Sequence, residues 1–242
     1  MQNVKVDVVI NKLPRHWTTF VGDALEDLAT VRNREYEGQV VKGIQNGQGQ
    51  MIYPNGDVYK GSYKNGERSG AGLCKFGKTG SIYRGEWRDD KPQGNGVLFT
   101  LPNEIIEARF DGFHVIDGQA KILMSNGEFY EGNIKQNMRN STGIHYYRNG
   151  DSYEGEWLND KRVGRGRIFK ADGSKMSGMF AEDKADGYVE FEDRVGNLFQ
   201  SENEDASKAT AGTKSKKISL SINDQQQGSF IPGQFMNGRL YK

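Results

Sequence analysis

A unit of 23 or 24 residues recurs along most of the chain and constrains its fold more than any other feature. The clearest copy runs from Tyr153 to Gly166 and has an aromatic residue, a glycine two residues on and a second aromatic four residues on. A polar turn and a Gly-x-Gly triplet complete it. Sustained repeats of this length are typical of arrays in which each unit packs on its neighbours. The copies begin at Tyr36, Tyr59, Tyr83, Ile106, Tyr130, Tyr153 and Met176.

The spacing within a unit predicts a β-strand. Residues at offsets zero, two and four of a strand lie on the same face of a sheet, so two aromatic residues flank a glycine there. Turn sequences such as Asn65-Gly66 and Asn149-Gly150 follow each strand, and these residues readily adopt the positive φ angles of tight hairpins. We therefore predict an all-β protein in which hairpins follow one another as one antiparallel meander.

The repeated glycines have a predicted packing role. A glycine inside a strand costs stability unless a neighbour exploits the missing side chain. An aromatic ring from the adjacent strand can lie flat over such a glycine, as in the aromatic rescue of designed sheets. We therefore expect the aromatic residues to cover glycines and to stabilise the sheet without a thick core.

At these residues the sequence closely resembles the MORN repeat family, whose motif is Tyr-x-Gly-x-aromatic followed by Gly-x-Gly. The resemblance covers approximately residues 36–199. It implies an elongated, single-layer β-meander of about seven repeats and a non-catalytic scaffold that binds protein partners in a larger assembly. Family members that consist of little besides repeats occur in ciliary axonemes, radial spoke heads and other cytoskeletal structures. The resemblance thus implies a cytoplasmic, cytoskeletal location, with the cilium or flagellum axoneme as a specific expectation.

The same resemblance supplies an alternative, because MORN repeats in junctophilins and in plant phosphatidylinositol-phosphate kinases suggest attachment to anionic phospholipid membranes. Four lysines, Lys208, Lys214, Lys216 and Lys217, are the sequence feature that favours it. Nearby acidic residues offset much of their charge, so a solvated loop is the preferred interpretation. A third class, an enzyme with a methyltransferase or kinase domain behind the repeats, is not favoured because the repeats leave no room for that domain.

The remaining segments give the predicted organisation. Residues 1–35 hold a short strand near Val4 to Val8 and a short helix over 23–32, with Asp23 as its capping residue and Leu25, Leu28 and Val31 on one face. The helix either covers one end or face of the sheet or docks on another protein. Residues 36–199 form the repeat sheet, with a bulge or bend expected in the degenerate unit that starts at Ile106. Residues 200–229 are a polar linker or insertion with one candidate strand over 218–222, and residues 230–242 form a C-terminal half-repeat.

The aromatic face of the sheet is the predicted partner-binding surface. Tyrosine and tryptophan are enriched at interface hot spots because they give large contact areas at a small entropy cost. On that basis a partner helix or extended segment would lie against the rings. The alternative is that the sheet itself consumes the rings, or that the helix over 23–32 hides them. The predicted residues are Tyr59, Tyr63, Tyr83, Trp87, Tyr130, Tyr153 and Trp157.

One segment imitates a nucleotide-binding motif. Residues 72–79 fit the phosphate-loop pattern G-x-x-x-x-G-K-T. That motif functions between a buried strand and the start of a helix, where backbone N–H groups surround the phosphates. Here Gly72 is the last glycine of a repeat and the next residues, Ile82 to Trp87, begin another strand. We therefore expect no nucleotide binding.

The composition argues against several other functions. The net charge of +1 gives no global field, which disfavours nucleic-acid binding. Cys74 is the single cysteine, and the three histidines, His16, His114 and His145, lack metal-ligand spacing. We therefore predict no catalytic residues, no metal, no cofactor and no small-molecule ligand. The sequence shows no secretory signal and no long apolar run, so a soluble intracellular protein is expected.

Overall fold

The computed structural model describes residues 14–203, which consist of one helix and sixteen strands. All strand pairs are antiparallel, and the strands follow one another as a meander of hairpins, so the predicted fold class is confirmed. The chain divides into two compact units. We call the described parts of these units the N-terminal unit (residues 14–125) and the C-terminal unit (residues 126–203).

The N-terminal unit contains helix α1 and nine strands. Its strands pair in chain order, except that both β8 and β9 pair with β7. The elements are α1 (Trp17–Ala29), β1 (Glu37–Val41), β2 (Ile44–Ile52), β3 (Val58–Lys64), β4 (Glu67–Lys75), β5 (Ile82–Arg88), β6 (Lys91–Thr100), β7 (Glu104–Asp111), β8 (His114–Val115) and β9 (Gly118–Leu123).

The C-terminal unit contains seven strands, each paired with the next along the chain. Its last strand, β16, begins just before Phe199, which lies one repeat length after Met176 and packs against Phe191 at 6.0 Å between ring centroids. The strand thus starts a further copy of the unit that the sequence analysis missed. The strands are β10 (Phe129–Lys135), β11 (Met138–Tyr146), β12 (Ser152–Leu158), β13 (Lys161–Phe169), β14 (Lys175–Ala181), β15 (Lys184–Glu192) and β16 (Leu198–Asn203).

The seven sequence units correspond to the seven hairpins that begin at β1, β3, β5, β7, β10, β12 and β14 in the described chain. Each hairpin turn carries positive φ angles, as at Asn159 (49°) and Asp160 (68°). The first glycine of each Gly-x-Gly has a different role, since it adopts positive φ at a register shift in the ladder. Gly164 (56°) is one example, and Ser141 (61°) holds the same conformation in the one copy that lacks this glycine.

Helix α1 corrects the predicted helix over 23–32. It begins at Trp17 rather than at Asp23, and His16 precedes it without a side-chain capping bond. The side chains buried along it are those of Trp17, Phe20, Ala24 and Leu28, followed by Val31, whereas Leu25 is 41% exposed. The local capping pattern was misleading because contact with the sheet, and not a cap, determines where this helix begins.

The degenerate fourth unit shows the expected irregularity. Its second strand is interrupted between β8 and β9, and Ile116 N donates to Arg109 O across the interruption. The other predicted elements, the strand near Val4 to Val8, the candidate strand over 218–222 and the half-repeat over 230–242, lie outside the described residues.

Candidate functional site

The sheet in each unit has two different faces. The inner face carries the residues at offsets zero, two and four of each repeat, and the outer face carries the residues between them. In the N-terminal unit the inner aromatic rings form a ladder of edge-to-face pairs with centroids 5.0–5.4 Å apart. This spacing is favourable for aromatic quadrupoles. The ladder runs through Tyr36, Tyr63, Tyr59, Trp87, Tyr83 and Phe110.

The C-terminal unit has a ladder of its own. Trp157 contacts Tyr130 at 5.9 Å and Tyr153 at 5.1 Å, and Tyr153 contacts Phe180 at 5.2 Å. The interplanar angles of these pairs lie between 82° and 86°. The second aromatic of one repeat therefore sits between the first aromatics of its own and the preceding repeat, which links successive hairpins.

Each tyrosine at the start of a repeat covers two glycines, as predicted. A Cβ placed on Gly166 would lie 2.5 Å from Cε2 of the Tyr153 ring, and one on Gly155 would lie 2.5 Å from the Tyr153 hydroxyl oxygen. The Tyr153 hydroxyl donates to Glu156 O at 3.1 Å, so the ring is fixed at both ends. Tyr59, Tyr83 and Tyr130 repeat this arrangement.

The seven predicted partner-binding side chains are therefore part of the core. Tyr59, Tyr83, Tyr130 and Tyr153 are 0% exposed, and Tyr63, Trp87 and Trp157 are 3% exposed. The indole of Trp157 also donates to Gly143 O at 3.2 Å and that of Trp87 to Gly72 O at 3.3 Å. Direct contact with a partner would require the inner face to open. The binding role assigned to these rings stays a prediction, and the tryptophan variants described below test it.

Arginine side chains complete the inner face and link each repeat to the next. Arg139 donates from Nε to Asp160 Oδ1 at 3.0 Å and from Nη2 to Asp160 O at 2.9 Å, while its guanidinium lies 4.2 Å from the Trp157 ring centroid. Arg68 with Asp90 and Arg162 with Asp183 make the same contacts. We call these three pairs the arginine clamps. Each guanidinium is buried but satisfied by charge, hydrogen bonds and a ring face.

The arginine clamps were missed in the sequence, although a signal was present. Arginine recurs nine residues after Tyr59, Tyr130 and Tyr153, and aspartate recurs seven residues after the start of each following repeat. In the third repeat the arginine position is occupied by Pro92, which pairs with Trp87. The series of arginine clamps is therefore interrupted where the third repeat meets the degenerate fourth unit.

A buried polar chain extends one arginine clamp. The ring of His145 contacts Glu128 Oε2 through Nε2 at 3.0 Å and Arg139 Nη1 through Nδ1 at 2.9 Å. A guanidinium can only donate, so Nδ1 accepts and the neutral ring carries its proton on Nε2. Burial is the main cause that lowers the pKa of His145, and Arg139 adds to it while Glu128 opposes it. This histidine holds structure together and is not aimed at solvent.

The position equivalent to His145 in the second repeat is Cys74, which pairs with Tyr59 as His145 pairs with Tyr130. Burial raises the pKa of the Cys74 thiol to about 12, so it remains protonated. Cys74 lies within the segment 72–79 that fits the phosphate-loop pattern. The structure assigns this segment to the end of β4 and a turn before β5, and Gly77 N donates to Asp57 Oδ1 at 3.0 Å. The helix start that a phosphate loop needs is replaced here by a strand.

The outer face of the N-terminal unit holds helix α1. One row of side chains runs across β3 to β7 through Lys60, Leu73, Arg84, Val97 and Glu107. The indole of Trp17 donates to Glu107 Oε2 at 2.8 Å, Arg84 donates to Asp27 at 3.3 Å, and Lys60 donates to Thr30 at 3.4 Å. The helix thus lies across the strands, with its beginning at β7 and its end near β3.

The same row on the C-terminal unit is more exposed. It runs across β10 to β15 through Glu131, Ile144, Glu154, Arg167, Ser177 and Glu190. Glu154, Arg167 and Glu190 are exposed, and Met179 of the neighbouring row is 46% exposed. This surface was not identified from the sequence, because alternation distinguishes two faces without showing which of them another element covers.

Two further features concern membranes and metals. Across residues 14–203 no helix is long and apolar enough to cross a lipid bilayer. In that same part of the chain, no three or more His, Cys, Asp and Glu side chains come together in a way that could hold a metal ion.

Hairpins that repeat every 23 or 24 residues, with a ring laid over paired glycines in each, define a β-hairpin repeat protein. The chain is a MORN repeat protein. The sequence model of the MORN repeat matches it five times, at residues 36–58, 59–80, 83–99, 130–152 and 153–175.

Two curated relatives share part of the array. Alsin of Mus musculus is 30% identical over 106 residues, which cover 42% of this chain and 6% of alsin. MORN repeat-containing protein 3 of Xenopus laevis is 31% identical over 81 residues, which cover 31% of this chain and 34% of that protein. The chain therefore spans a small part of alsin and about a third of the Xenopus protein.

Two solved structures of low similarity were also found. The TCP domain of Drosophila melanogaster SAS-4 in complex with a proline-rich motif of Ana2 is 13% identical, with a TM-score of 0.41, over 70% of this chain and 97% of that domain. The TCP10 domain of Danio rerio CPAP in complex with a STIL peptide is 13% identical, with a TM-score of 0.24, over 70% of this chain and 99% of that domain.

Proposed function

We propose that this protein is a non-catalytic scaffold that holds protein partners on the outer face of its repeat sheet. The observation that carries the proposal is the packing of helix α1 on the outer face of the sheet in the N-terminal unit. In the N-terminal unit the outer face already binds an amphipathic helix, through a row in which the apolar residues Leu73 and Val97 alternate with charged residues that bond to α1. The C-terminal unit repeats the same strand arrangement, and the corresponding row on its outer face is more exposed.

The packing of the inner face supports this assignment. Its rings, glycines and arginine clamps fill one side of each unit, and in the described residues every buried side-chain nitrogen and oxygen has a hydrogen-bond partner. A side that is fully packed and satisfied offers a partner little area and few polar groups. In this proposal the seven predicted rings contribute to binding indirectly, because they hold the strands that present the outer face.

The location follows from the family and not from the site. Some MORN proteins built mostly of repeats occur in cytoskeletal assemblies, so we propose a cytoskeletal scaffold, with the ciliary axoneme as the specific place to look. Imaging of a tagged chain against an axonemal marker tests this placement, and a diffuse signal would contradict it. Attachment to anionic membranes remains the less favoured alternative, and the lysines that would support it lie outside the described residues.

The scaffold function is tested by crosslinking capture with the full chain in extract of cells that express it. The informative variant combines Arg167→Glu with Met179→Glu, two exposed outer-face positions on β13 and β14. The control is Arg148→Glu, an exposed residue of the turn between β11 and β12. We expect partners to be captured by the wild type and the control and lost with the double variant. Equal capture by all three chains would contradict the outer-face assignment, and no specific capture would contradict the scaffold.

A further inference from the structure

Charge is reversed between the two outer faces at the positions that hold the end of a helix. In the N-terminal unit, Lys60 and Arg84 lie on either side of Leu73 and contact Thr30 and Asp27 near the end of α1. Three repeats later the same three positions are Glu131, Ile144 and Glu154. The apolar centre is kept, while both cations are replaced by carboxylates.

An aromatic side chain lies beside these carboxylates. Tyr146 stands two residues along β11 from Ile144, on the same outer face, and stacks on Phe129 with ring centroids 5.7 Å apart. In the N-terminal unit this position is Lys75. Burial, followed by the charges of Glu131 and Glu154, raises the pKa of Tyr146. Carboxylates beside an aromatic ring attract lysine and arginine through ion pairs and cation–π contacts.

We infer that the outer face of the C-terminal unit binds an amphipathic helix of a partner protein that carries lysine or arginine in its last turn. The binding surface, which we call the acidic-aromatic patch, consists of Glu131, Ile144, Tyr146 and Glu154, and the buried Phe129 supports the Tyr146 ring. This inference rests on the proposed scaffold function and specifies the partner's chemistry. Basic residues also favour the last turn of a helix because they complement its dipole, so the patch selects a common kind of helix end.

Dimensions agree with a helix placed across the strands. The thirteen residues of α1 span about 20 Å at 1.5 Å per residue. The distance from β3 to β7 is about 19 Å at 4.8 Å per strand. A helix of the same length would cross from β10 to β14 on the C-terminal unit. A second copy of α1 is a poor occupant, because its Asp27 would face Glu154 where the first copy faces Arg84.

The chain supplies a matched pair of peptide probes. The first peptide has the sequence of Trp17–Val31, and the second differs by Asp27→Lys and Thr30→Lys, the two positions that meet Arg84 and Lys60. Both carry Thr19→Lys closed as a lactam onto Asp23, two exposed positions one turn apart, because short isolated helices are marginal in water. Binding of each labelled peptide to the full chain is measured by fluorescence anisotropy.

The wild type should bind the lysine peptide about tenfold more tightly than the native-sequence peptide, since lysine replaces Asp27, which would repel Glu154, and adds a positive charge at the uncharged Thr30. Glu154→Arg restores the residue of the N-terminal unit and should remove this preference or reverse it. Glu190→Arg, the same charge change on the same face at β15, should leave the preference intact. If Glu154→Arg fails to fold, as judged by its circular dichroism, Glu154→Gln should still reduce the preference.

Failure of wild-type binding to the lysine peptide, or equal affinity for both peptides, would overturn the inference. So would a preference that Glu154→Arg leaves unchanged. If the peptides fail while crosslinking capture still depends on Arg167 and Met179, the scaffold function stands and only the basic helix is rejected. If capture fails as well, the proposed function is itself wrong.

Discussion

The repeated glycines divide into two kinds with different physical requirements. The first glycine of each Gly-x-Gly provides a positive φ angle, as Gly164 does, and Ser141 shows that another residue can hold it. The second glycine, such as Gly166, provides space, because the Tyr153 ring occupies the volume that a Cβ would need. A single motif therefore combines a backbone requirement with a packing requirement two residues apart.

Gly166→Ala should destabilise the protein by about 1–3 kcal/mol, since the added methyl group overpacks the contact with Tyr153. Gly22→Ala in α1 is the control, because no atom lies within 4 Å of the added Cβ and alanine favours a helix. Urea unfolding followed by tryptophan fluorescence measures both variants. A Gly166→Ala protein as stable as the wild type would contradict the role of the ring.

Trp157→Ala separates a core role of the aromatic ladder from direct partner contact. Removal of a ring that is 3% exposed should lower the free energy of unfolding by about 3–5 kcal/mol. Leu158→Ala is the control, since this neighbour is 52% exposed and should have little effect. Trp87→Ala repeats the test in the N-terminal unit. Unchanged melting temperatures with lost capture of partners would instead establish the rings as the interface, as predicted from the sequence.

At the scale of elements, the arginine clamps join hairpins that would otherwise share only backbone hydrogen bonds and ring contacts. Each clamp spans 21 or 22 residues and places an aspartate of one turn beneath the guanidinium of the preceding repeat. The buried arginines depend on their partners, because an uncompensated buried charge is costly. We expect the clamped hairpins to unfold together.

Asp160→Asn should cost about 1–3 kcal/mol, because it removes the charge opposite buried Arg139 while asparagine still tolerates the positive φ angle of the turn. Lys161→Gln, at the neighbouring first residue of β13, is the control. It breaks an exposed ion pair with Glu182, which solvent screens, and should leave the unfolding midpoint unchanged. Thermal unfolding by circular dichroism provides the measurement, and equal effects of the two variants would contradict the clamp.

Acid should destabilise the C-terminal unit through His145. Its pKa is lower in the folded state than the ordinary value of 6.5, chiefly because of burial, so the unfolded chain binds a proton first. The contribution of His145 to the free energy of unfolding is complete above the ordinary pKa. It is lost as the pH falls below that value towards the lowered pKa of the folded state. Protonation would also place a proton on Nδ1, which faces the Arg139 guanidinium.

The measurement is the difference in urea midpoint between pH 7.5 and pH 5. His145→Leu introduces the residue found at the equivalent position of the third repeat, Leu98. This variant should be less stable than the wild type at pH 7.5, because Glu128 loses its partner, but its midpoint should change less with pH. An equal change of urea midpoint between the two pH values in both proteins would show that other groups cause the acid sensitivity.

For the molecule as a whole, the balance of charge favours protein partners over membranes. The net charge is +1, and the lysines that favour a membrane are followed or preceded by acidic residues. Vesicles with anionic lipid should therefore bind the chain weakly, with about 1 kcal/mol per lysine at best and strong screening at moderate salt. Cosedimentation at two salt concentrations measures this, with Lys208, Lys214, Lys216 and Lys217 all changed to glutamine as the control. Tight binding that resists salt would promote the membrane alternative.

The sequence by itself determined the hairpins, their turns and the aromatic and glycine residues of the inner face. Those features depend on residues within one repeat. Alternation of residues along a strand assigns them to the two faces, and Asn-Gly and similar pairs allow the turns. The Tyr153 ring that covers Gly166 needs only the adjacent strand. Seven copies of the same pattern made the inference robust. The start of α1, in contrast, was misplaced because a local capping pattern competes with burial of Trp17 and Phe20 against the sheet.

Only the tertiary structure decided which face of the sheet is core and which face can receive a helix or a partner. Alternation gives a single-layer sheet two faces of equal standing, and burial depends on what packs over each of them. The arginine clamps fill the inner face through contacts between repeats, and α1 shows how the outer face receives a helix. The proposed role of the Glu131 and Glu154 carboxylates also depends on the tertiary structure. Strand register places them on either side of Ile144, where the other unit has Lys60 and Arg84 around Leu73.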